Sequence, residues 1–199
     1  SARAPGHAVA SSSARPLTAA GPIAGHRLLG VALQSPLLDG WVFQASLGPD
    51  RPTYLADHKV QDTLVVPGAV FIEMATAGLA EGPRWADAWI HELTIDRPLL
   101  LAPTGETTCQ VLVSTPVEGE SVVRVVSRAT DDAEVRWITH ATAKARRHRE
   151  SPPSPHAPLA TLQRTIDQPF TVDELRSRLQ SRGLFYGPAF RSLEEVWTG

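Results

Sequence analysis

One histidine and one proline-glycine pair have a spacing that suits proton chemistry on an acyl group. His58 precedes a short apolar run, and Pro67-Gly68 follows that run with residue types that begin a helix. A helix dipole disfavours protonation of a nearby imidazole, which keeps the ring available as a base. The free N–H groups of a first helical turn can hold a carbonyl oxygen on which negative charge builds. Together these groups could remove a proton α to a thioester carbonyl.

The same spacing also fits a histidine in a surface loop beside a buried helix, with no chemical role. On these residues alone this second interpretation is the stronger one. A single histidine without a defined partner is weak evidence for a catalytic site. Both interpretations of His58 therefore stay open at this point.

The other histidines and the cysteine do not form a metal-binding pattern. His91, His140 and Cys109 stand far apart, and the sequence has neither an HExxH motif nor paired cysteines. We therefore predict no metal site, and we expect these side chains in a core or on a sheet surface.

A basic cluster is formed by Lys144, Arg146, Arg147 and Arg149. Such a cluster could contact a nucleic acid or a carrier protein. Charge runs beside proline-rich segments are usually solvated, so we favour an exposed linker. The formal net charge of −2 adds no general attraction to polyanions, and we predict no nucleic-acid partner.

The composition is that of a globular chain without a membrane span. Of the 199 residues, 42% are hydrophobic and 20% are charged, which is enough apolar material for a buried core. No run of about 18 apolar residues occurs, so we predict no transmembrane helix. The single cysteine cannot form an internal disulfide, which fits a reducing compartment, and we expect a cytoplasmic protein.

One helix and several strands must position the chemistry around His58. The pattern predicts a mostly apolar, largely buried helix from Pro67-Gly68 to about Leu79, with Glu73 as its only charge, and a loop over residues 51–67. Strands are predicted at 41–48, 89–95, 98–101, 108–114, 122–127 and 134–144. The last strand is expected to alternate regularly, with Ala141 and His140 on opposite faces. One buried helix among antiparallel strands is an α+β pattern.

Composition divides the chain into units and linkers. We predict a linker at 1–20, a first unit at 21–145, a proline-rich linker at 146–166 and the start of a second unit at 167–199. An organelle transit peptide is the less favoured interpretation of residues 1–20.

The second unit opens with clear helix signals. Thr171 and Glu174 predict a capping box, and Gly183 predicts the end of that helix. Met74 is the only methionine, and the chain stops at Gly199 just after the start of a predicted strand. We therefore expect this sequence to be an excerpt of a longer one.

Five segments, taken in order, resemble the dehydratase domains of modular polyketide synthases. They are residues 26–30 (HRLLG), 54–58 (YLADH), 58–68 (HKVQDTLVVPG), 134–144 (EVRWITHATAK) and 183–190 (GLFYGPAF). The third resembles the family's HxxxGxxxxP signature, and the fifth closely resembles its GxxYGPxF motif. The first resembles the opening HPLLG of the family, with arginine in place of proline. The resemblance extends from about residue 22 to the end of the chain.

The resemblance implies a double hotdog fold, in which each of two units is a long central helix wrapped by an antiparallel sheet. This chain would hold the first hotdog and the start of the second. His58 would take the α-proton of a 3-hydroxyacyl chain, and loss of water would leave an enoyl thioester. The N–H of Gly68 would hold the thioester carbonyl, Tyr186 would hydrogen-bond near the departing hydroxyl, and Pro188 would shape that turn.

The resemblance also implies the partners of the chain. The substrate would be carried on the phosphopantetheine of an acyl carrier protein, and no metal or redox cofactor would be needed. Neighbouring synthase domains and, in the full enzyme, a homodimer are implied as well. No nucleic acid and no membrane are expected among the partners.

Two departures from the family bear on function. Asp62 stands where the signature has glycine, which permits a left-handed backbone. Aspartate tolerates that conformation better than most residues, so we expect a tolerated turn residue there. The alternative is that the Asp62 carboxylate marks altered chemistry. The family's partner aspartate, which protonates the leaving hydroxyl, has no counterpart in these residues. Asp57 and Asp62 are too near His58 in sequence to be assigned that role.

Three functional hypotheses follow from the resemblance and its departures. The first is dehydration of a carrier-bound 3-hydroxyacyl thioester. The second is double-bond isomerisation or pyran formation on the same kind of substrate, again using His58. The third is a catalytically incomplete module that binds an acyl chain or acts as a scaffold for its neighbours.

Overall fold

A computed structural model describes residues 22–34, 37–128, 136–147, 161 and 168–198. The predicted linker at 1–20, most of the linker at 146–166 and Arg149 lie outside the described residues. The strands are β1 (Val31–Leu33), β2 (Trp41–Leu47), β3 (His58–Val60), β4 (Thr63–Val65), β5 (Ala88–Ile95), β6 (Leu100–Leu101), β7 (Thr107–Val113), β8 (Glu120–Arg128), β9 (Trp137–Arg147), β10 (Gln168–Phe170), β11 (Leu184–Tyr186) and β12 (Val196–Thr198). The α-helices are α1 (Gly68–Glu81) and α2 (Val172–Ser181), and Thr53–Asp57 and Pro188–Phe190 form short 3₁₀ helices.

The strands form one large and two small antiparallel sheets. The large sheet has six strands in the order β1-β2-β7-β8-β9-β5. A four-stranded sheet has the order β11-β3-β4-β6, and β10 pairs with β12. The α+β pattern predicted from the sequence is therefore the observed architecture.

Helix α1 packs on the inner face of the six-stranded sheet. Phe71, Met74 and Leu79 are each at most 1% exposed, and burial of each such side chain stabilises the fold by roughly 1.5–3 kcal/mol. At Gly78 an added Cβ would lie 3.0 Å from Val113 Cγ2, so the missing side chain lets the helix approach the sheet. The sheet contributes small and β-branched buried side chains to this interface, which leaves room for the helix.

Helix α1 is longer than the sequence pattern predicted. Helix α1 continues to Glu81, two residues past the predicted end, and so contains a second acidic residue. It begins at Gly68 after Pro67, as predicted. Its burial is one-sided, because Ile72 and Glu73 lie on an exposed face.

The predicted loop at 51–67 is wrong, because the segment is ordered into a 3₁₀ helix and the β3–β4 hairpin. Each of these strands has only three residues, which is too short for an alternating pattern to be recognised. The pairing of Val60 with Thr63 leaves a two-residue turn at Gln61 and Asp62.

Regular alternation along β9 is also wrong. Val125 pairs with Ala141 and the next residue, Val126, pairs with Thr139, so His140 is an extra residue in a β-bulge. A bulge shifts the alternation of a strand by one residue. As a result His140 and Ala141 are both buried.

The described residues of the basic cluster lie in strand β9 of the large sheet. Strand β9 runs through Arg147, two residues beyond the predicted end of the first unit at residue 145. Lys144 Nζ lies 2.8 Å from Glu92, and Arg146 Nε lies 3.1 Å from Glu120. These cations therefore have carboxylate partners on neighbouring strands.

The helix predicted near the start of the second unit is present, and the strand after it pairs with a strand near His58. The capping box between Thr171 and Glu174 is present, and Gly183 follows α2 with a φ of +79°. Strand β11 then pairs with β3, the strand that begins at His58. Two segments far apart in sequence are thus brought side by side.

We expect Met74→Ala to lower the free energy of unfolding by about 2–5 kcal/mol, because it removes a fully buried side chain between helix and sheet. Ile72→Ala on the exposed face of α1 is the matched control and should change it by only about 0.5 kcal/mol. Urea unfolding of the 199-residue chain measures both. Equal effects of the two substitutions would contradict the described orientation of the helix.

Candidate active site

The β3–β4 hairpin sets the geometry around His58. Lys59 pairs with Leu64 and Val60 with Thr63, so one step further along the ladder places His58 opposite Val65. Pro67-Gly68 and the start of α1 come two residues after Val65. The spacing between His58 and Gly68 is therefore the length of one hairpin and its exit.

A hydrogen bond across this hairpin selects one tautomer of His58. Its Nδ1 lies 2.7 Å from the carbonyl oxygen of Val65. A carbonyl oxygen only accepts, so Nδ1 carries the hydrogen and donates it. Nε2 of the neutral ring is then left with its lone pair, which is the state required of a general base.

Aromatic rings hold the imidazole of His58 from the other side of β3. Tyr186 pairs with His58 in the ladder between β11 and β3. The two rings are stacked, with centroids 5.2 Å apart and planes inclined by 22°. Phe190 adds a second ring, tilted by 56°, at 5.4 Å. The orientation of the imidazole is therefore defined by three neighbours.

His58 and Gly68 line the same cavity. This open cavity of about 280 Å³ is lined by His58, Val65, Val66, Gly68, Phe71, Ile95, Asp96, Arg97 and Pro98. The N-terminus of α1 has no side-chain cap, and Gly68 is exposed. An uncapped helix N-terminus offers N–H groups to an oxygen that gains negative charge. An imidazole ring and an uncapped helix N-terminus therefore line one cavity.

The wall of the cavity at Asp96, Arg97 and Pro98 is anchored by the bulged residue His140. The carbonyl oxygen of His140 accepts hydrogen bonds from the amides of Asp96, at 2.8 Å, and Arg97, at 3.3 Å. The His140 ring lies parallel to Phe71, which lines the cavity as well, with centroids 6.4 Å apart. The bulge therefore connects the large sheet to the cavity.

The ring of His140 is buried, neutral and fully hydrogen-bonded. Its Nδ1 donates to the Arg97 carbonyl at 3.3 Å, and its Nε2 accepts from the Ser127 hydroxyl at 2.7 Å. Burial lowers the pKa of His140 from its ordinary value, because the charged ring would lose its hydration. Sequence reasoning expected only a core or sheet-surface histidine here; a bulge has no sequence signal that would have shown its connection to the cavity.

Asp62 and Pro188 both lie at exposed turn positions. Asp62 is exposed in the β3–β4 turn, but the residue with positive φ is its neighbour Gln61, at +53°. Asp62 is therefore a turn residue, as expected, and the left-handed conformation falls on Gln61, one position earlier. Pro188 is exposed and begins a 3₁₀ turn; it is not among the residues that line the cavity with His58.

The potential metal ligands are not brought together. Within the described ranges, no three histidine, cysteine, aspartate or glutamate side chains form a group that could hold a metal ion. Cys109 is fully buried, and burial raises the pKa of its thiol to about 12. In the same part of the chain, no helix is long and apolar enough to cross a membrane.

Residues 26–128 match the family described as the polyketide synthase dehydratase domain. Mycoketide-CoA synthase of Mycobacterium tuberculosis is 35% identical over 173 residues, which are 86% of this chain and 4% of that protein. Spectinabilin polyketide synthase system protein NorB of Streptomyces orinoci is 35% identical over 190 residues, which are 94% of this chain and 8% of that protein. The chain thus spans a small part of these curated relatives.

Solved structures show the same fold. The dehydratase domain from the terminal module of the rifamycin polyketide synthase aligns with a TM-score of 0.76 and 30% identity, over 91% of this chain and 62% of that chain. The dehydratase domain from the CurF module of curacin polyketide synthase aligns with a TM-score of 0.79 and 22% identity, over 87% and 62%. These matches confirm the predicted α+β hotdog architecture.

We expect His140→Gln to remove part of the loss of stability at acidic pH. Below its ordinary pKa of 6.5, His140 of the unfolded chain takes up a proton, while the folded ring stays neutral to a lower pH. The free energy of unfolding of the wild type should therefore fall as the pH drops below that value and gain nothing from His140 above it. Urea unfolding at about pH 7.5 and about pH 5.5 measures the difference.

Ser127→Ala is the control for this experiment. It removes the hydroxyl donor to His140 but keeps the titrating ring, so it should weaken the fold at both pH values and retain the acidic loss. Equal pH dependence in the wild type and His140→Gln would contradict a buried neutral His140.

Proposed function

Because this chain belongs to the polyketide synthase dehydratase domain family, we propose that it acts in the removal of water from a 3-hydroxyacyl thioester carried by an acyl carrier protein. The observation that carries the proposal is the hydrogen bond from His58 Nδ1 to the Val65 carbonyl. In the neutral ring it leaves the lone pair on Nε2, and the ring lines a cavity together with Gly68. A base beside an uncapped helix N-terminus suits the acidic α-proton of a thioester.

The proposed step moves two protons, breaks one C–H and one C–O bond and forms one C=C double bond. His58 Nε2 takes the α-proton, and the electron pair of the C–H bond forms the new double bond to the β-carbon. The hydroxyl at that carbon leaves as water after it receives a proton from an acid. The N–H of Gly68 stabilises the thioester oxygen while negative charge builds on it.

The acid of this step is the less defined half of the site. No residue of this sequence matches the partner aspartate that the family resemblance implies. Among the described residues that line the cavity, Asp96 is the carboxylate. Asp96 is therefore the candidate acid within the described part of the chain.

Tyr186 and Pro188 have supporting roles in this proposal. Tyr186 stacks on His58 and would direct its hydroxyl toward the departing group. Pro188 fixes the backbone at the start of the 3₁₀ turn that follows. The acyl chain would arrive on the phosphopantetheine of a carrier protein, within an assembly of neighbouring synthase domains, and proton transfer alone calls for no redox cofactor.

Two further candidate functions use the same residues. An isomerase or pyran-forming cyclase would also need the base His58, and Asp62 is the departure from the family pattern that raises this alternative. An acyl-binding or scaffolding module would need only the cavity. Neither of these functions removes water from the substrate, whereas dehydration lowers its mass by one water.

We expect the chain to remove one water from a 3-hydroxyacyl carrier protein, and His58→Ala to abolish this loss. Intact-mass spectrometry of the carrier-bound chain, incubated in heavy water, detects the loss of water and the uptake of deuterium together. His91→Ala is the matched control, since this histidine lies on the edge strand β5 and pairs with Glu120. It should leave the reaction unchanged.

Each outcome of this experiment separates the hypotheses. Water loss that depends on His58 supports dehydration. If Asp96→Asn also abolishes the removal of water, Asp96 is identified as the acid. Deuterium uptake without water loss would mean that His58 acts as a base alone, as in an isomerase. No change in mass at all would leave only the binding module. Unchanged turnover in His58→Ala would overturn the assignment of the base.

We expect Tyr186→Phe to lower kcat by about tenfold or more, with little change in KM, because it removes a hydroxyl but keeps the ring stacked on His58. Steady-state turnover of the carrier-bound substrate measures this. Phe185→Tyr, on the adjacent and exposed position, is a control for altered β11 pairing and should keep the wild-type kcat. A wild-type kcat in Tyr186→Phe would exclude a role for the hydroxyl.

A further inference from the structure

We propose that Asp57 is a positioning residue for His58, which it serves by holding the 187–190 turn against the imidazole. The proposal rests on the proposed role of His58 as the base. Asp57 is the residue before His58 and ends the 3₁₀ helix Thr53–Asp57. Sequence reasoning excluded it as the distant acid and assigned it nothing else.

Two hydrogen bonds connect Asp57 to the turn. Its carboxylate Oδ2 accepts from the amide of Ala189 at 2.8 Å, across 132 residues of sequence. Its backbone carbonyl accepts from the amide of Gly187 at 2.7 Å. The carboxylate thus binds an N–H in the first turn of Pro188–Phe190, as a capping side chain does, but from another part of the chain.

The turn is shaped to receive this side chain. A Cβ added at Gly187 would lie 2.3 Å from Cγ and Oδ1 of Asp57 and 2.8 Å from its Cβ. The φ of Gly187 is −74°, which any residue adopts, so the requirement for glycine is one of space. The Asp57 carboxylate and Gly187 therefore fit together only because no side chain stands between them.

The two hydrogen bonds that Asp57 accepts from Gly187 and Ala189, which we call the clamp, fix the two rings that contact His58. Tyr186 directly precedes Gly187, and Phe190 directly follows Ala189. Along the chain, the two residues that donate to Asp57 therefore lie between the two aromatic residues. The Phe190 ring lies 5.9 Å from Tyr186 and 5.4 Å from His58. It also meets Tyr54 edge-on at 6.3 Å, one turn before Asp57. Loss of the clamp would free both rings from the imidazole and let its Nε2 move.

The acceptor oxygen, rather than the negative charge, is the feature that this role requires. Asparagine keeps an oxygen that can accept from Ala189, whereas alanine keeps none. Asp57→Asn should therefore preserve the clamp, and Asp57→Ala should release it. Gly187→Ala should release it from the opposite side by forcing the carboxylate away.

The first readout is the NMR signal of the His58 ring in the histidine-labelled 199-residue chain, assigned by its disappearance in His58→Ala. The stacked Tyr186 and Phe190 rings displace this signal from the position of a free histidine. We expect Asp57→Ala and Gly187→Ala to shift it toward the free position, and Asp57→Asn and Asp50→Ala to leave it in place. Asp50 is the matched control, because it is exposed and lies ahead of the 3₁₀ helix.

The second readout is turnover of the carrier-bound substrate. Asp57→Ala should lower kcat by roughly tenfold to a hundredfold, with KM changed by less than about twofold, because a misplaced base costs rate rather than binding. Asp57→Asn should stay within about threefold of the wild type.

The two readouts separate this proposal from the proposed function. A wild-type chain without turnover, whose His58 signal still responds to Asp57→Ala, would contradict the function and support the clamp. An unmoved His58 signal and unchanged kcat in Asp57→Ala would overturn the clamp. Asp57→Asn that behaves like Asp57→Ala in both readouts would overturn it too, since charge and not hydrogen bonding would then be the cause.

Discussion

The hydrogen bond between His58 Nδ1 and the Val65 carbonyl is the constraint on which the rest of the site depends. It exists because a two-residue turn places these residues opposite each other in the β3–β4 hairpin. It selects the tautomer that leaves Nε2 unprotonated. The same hairpin delivers Gly68 and the start of α1 to the cavity beside the ring. A change in hairpin length would move the helix N-terminus away from the His58 ring.

The large sheet supports this cavity through helix α1 and one irregular residue. The absence of a side chain at Gly78 lets the helix pack closely against the sheet. Phe71 of the same helix lines the cavity. The bulge at His140 turns a carbonyl and an imidazole toward the Asp96–Arg97 backbone. Since both ring nitrogens of His140 have partners, the polar side chain is accommodated in the core without an unsatisfied group.

The segment after α2 contributes to the surroundings of His58. Strand β11 extends the small sheet by pairing with β3, and its last residue, Tyr186, stacks on the imidazole. The family motif at 183–190 therefore has a local physical meaning. Gly183 ends α2 with a positive φ, while Gly187 leaves the space that the Asp57 side chain occupies.

The sequence by itself determined the elements whose signals are local: helix α1 from its Pro-Gly start and apolar pattern, the capping box of α2, the long strands and, through ordered motifs, the family. The resemblance, rather than the spacing alone, pointed to His58 and Gly68, and the sequence carried no signal for the hydrogen bond between His58 and Val65. Only the tertiary structure decided the three-residue strands around His58, the inward bulge at His140 and the contact of Asp57 with Ala189. The physical reason is that short strands and bulges carry no periodic pattern, and a hydrogen bond across 132 residues depends on how the sheets assemble.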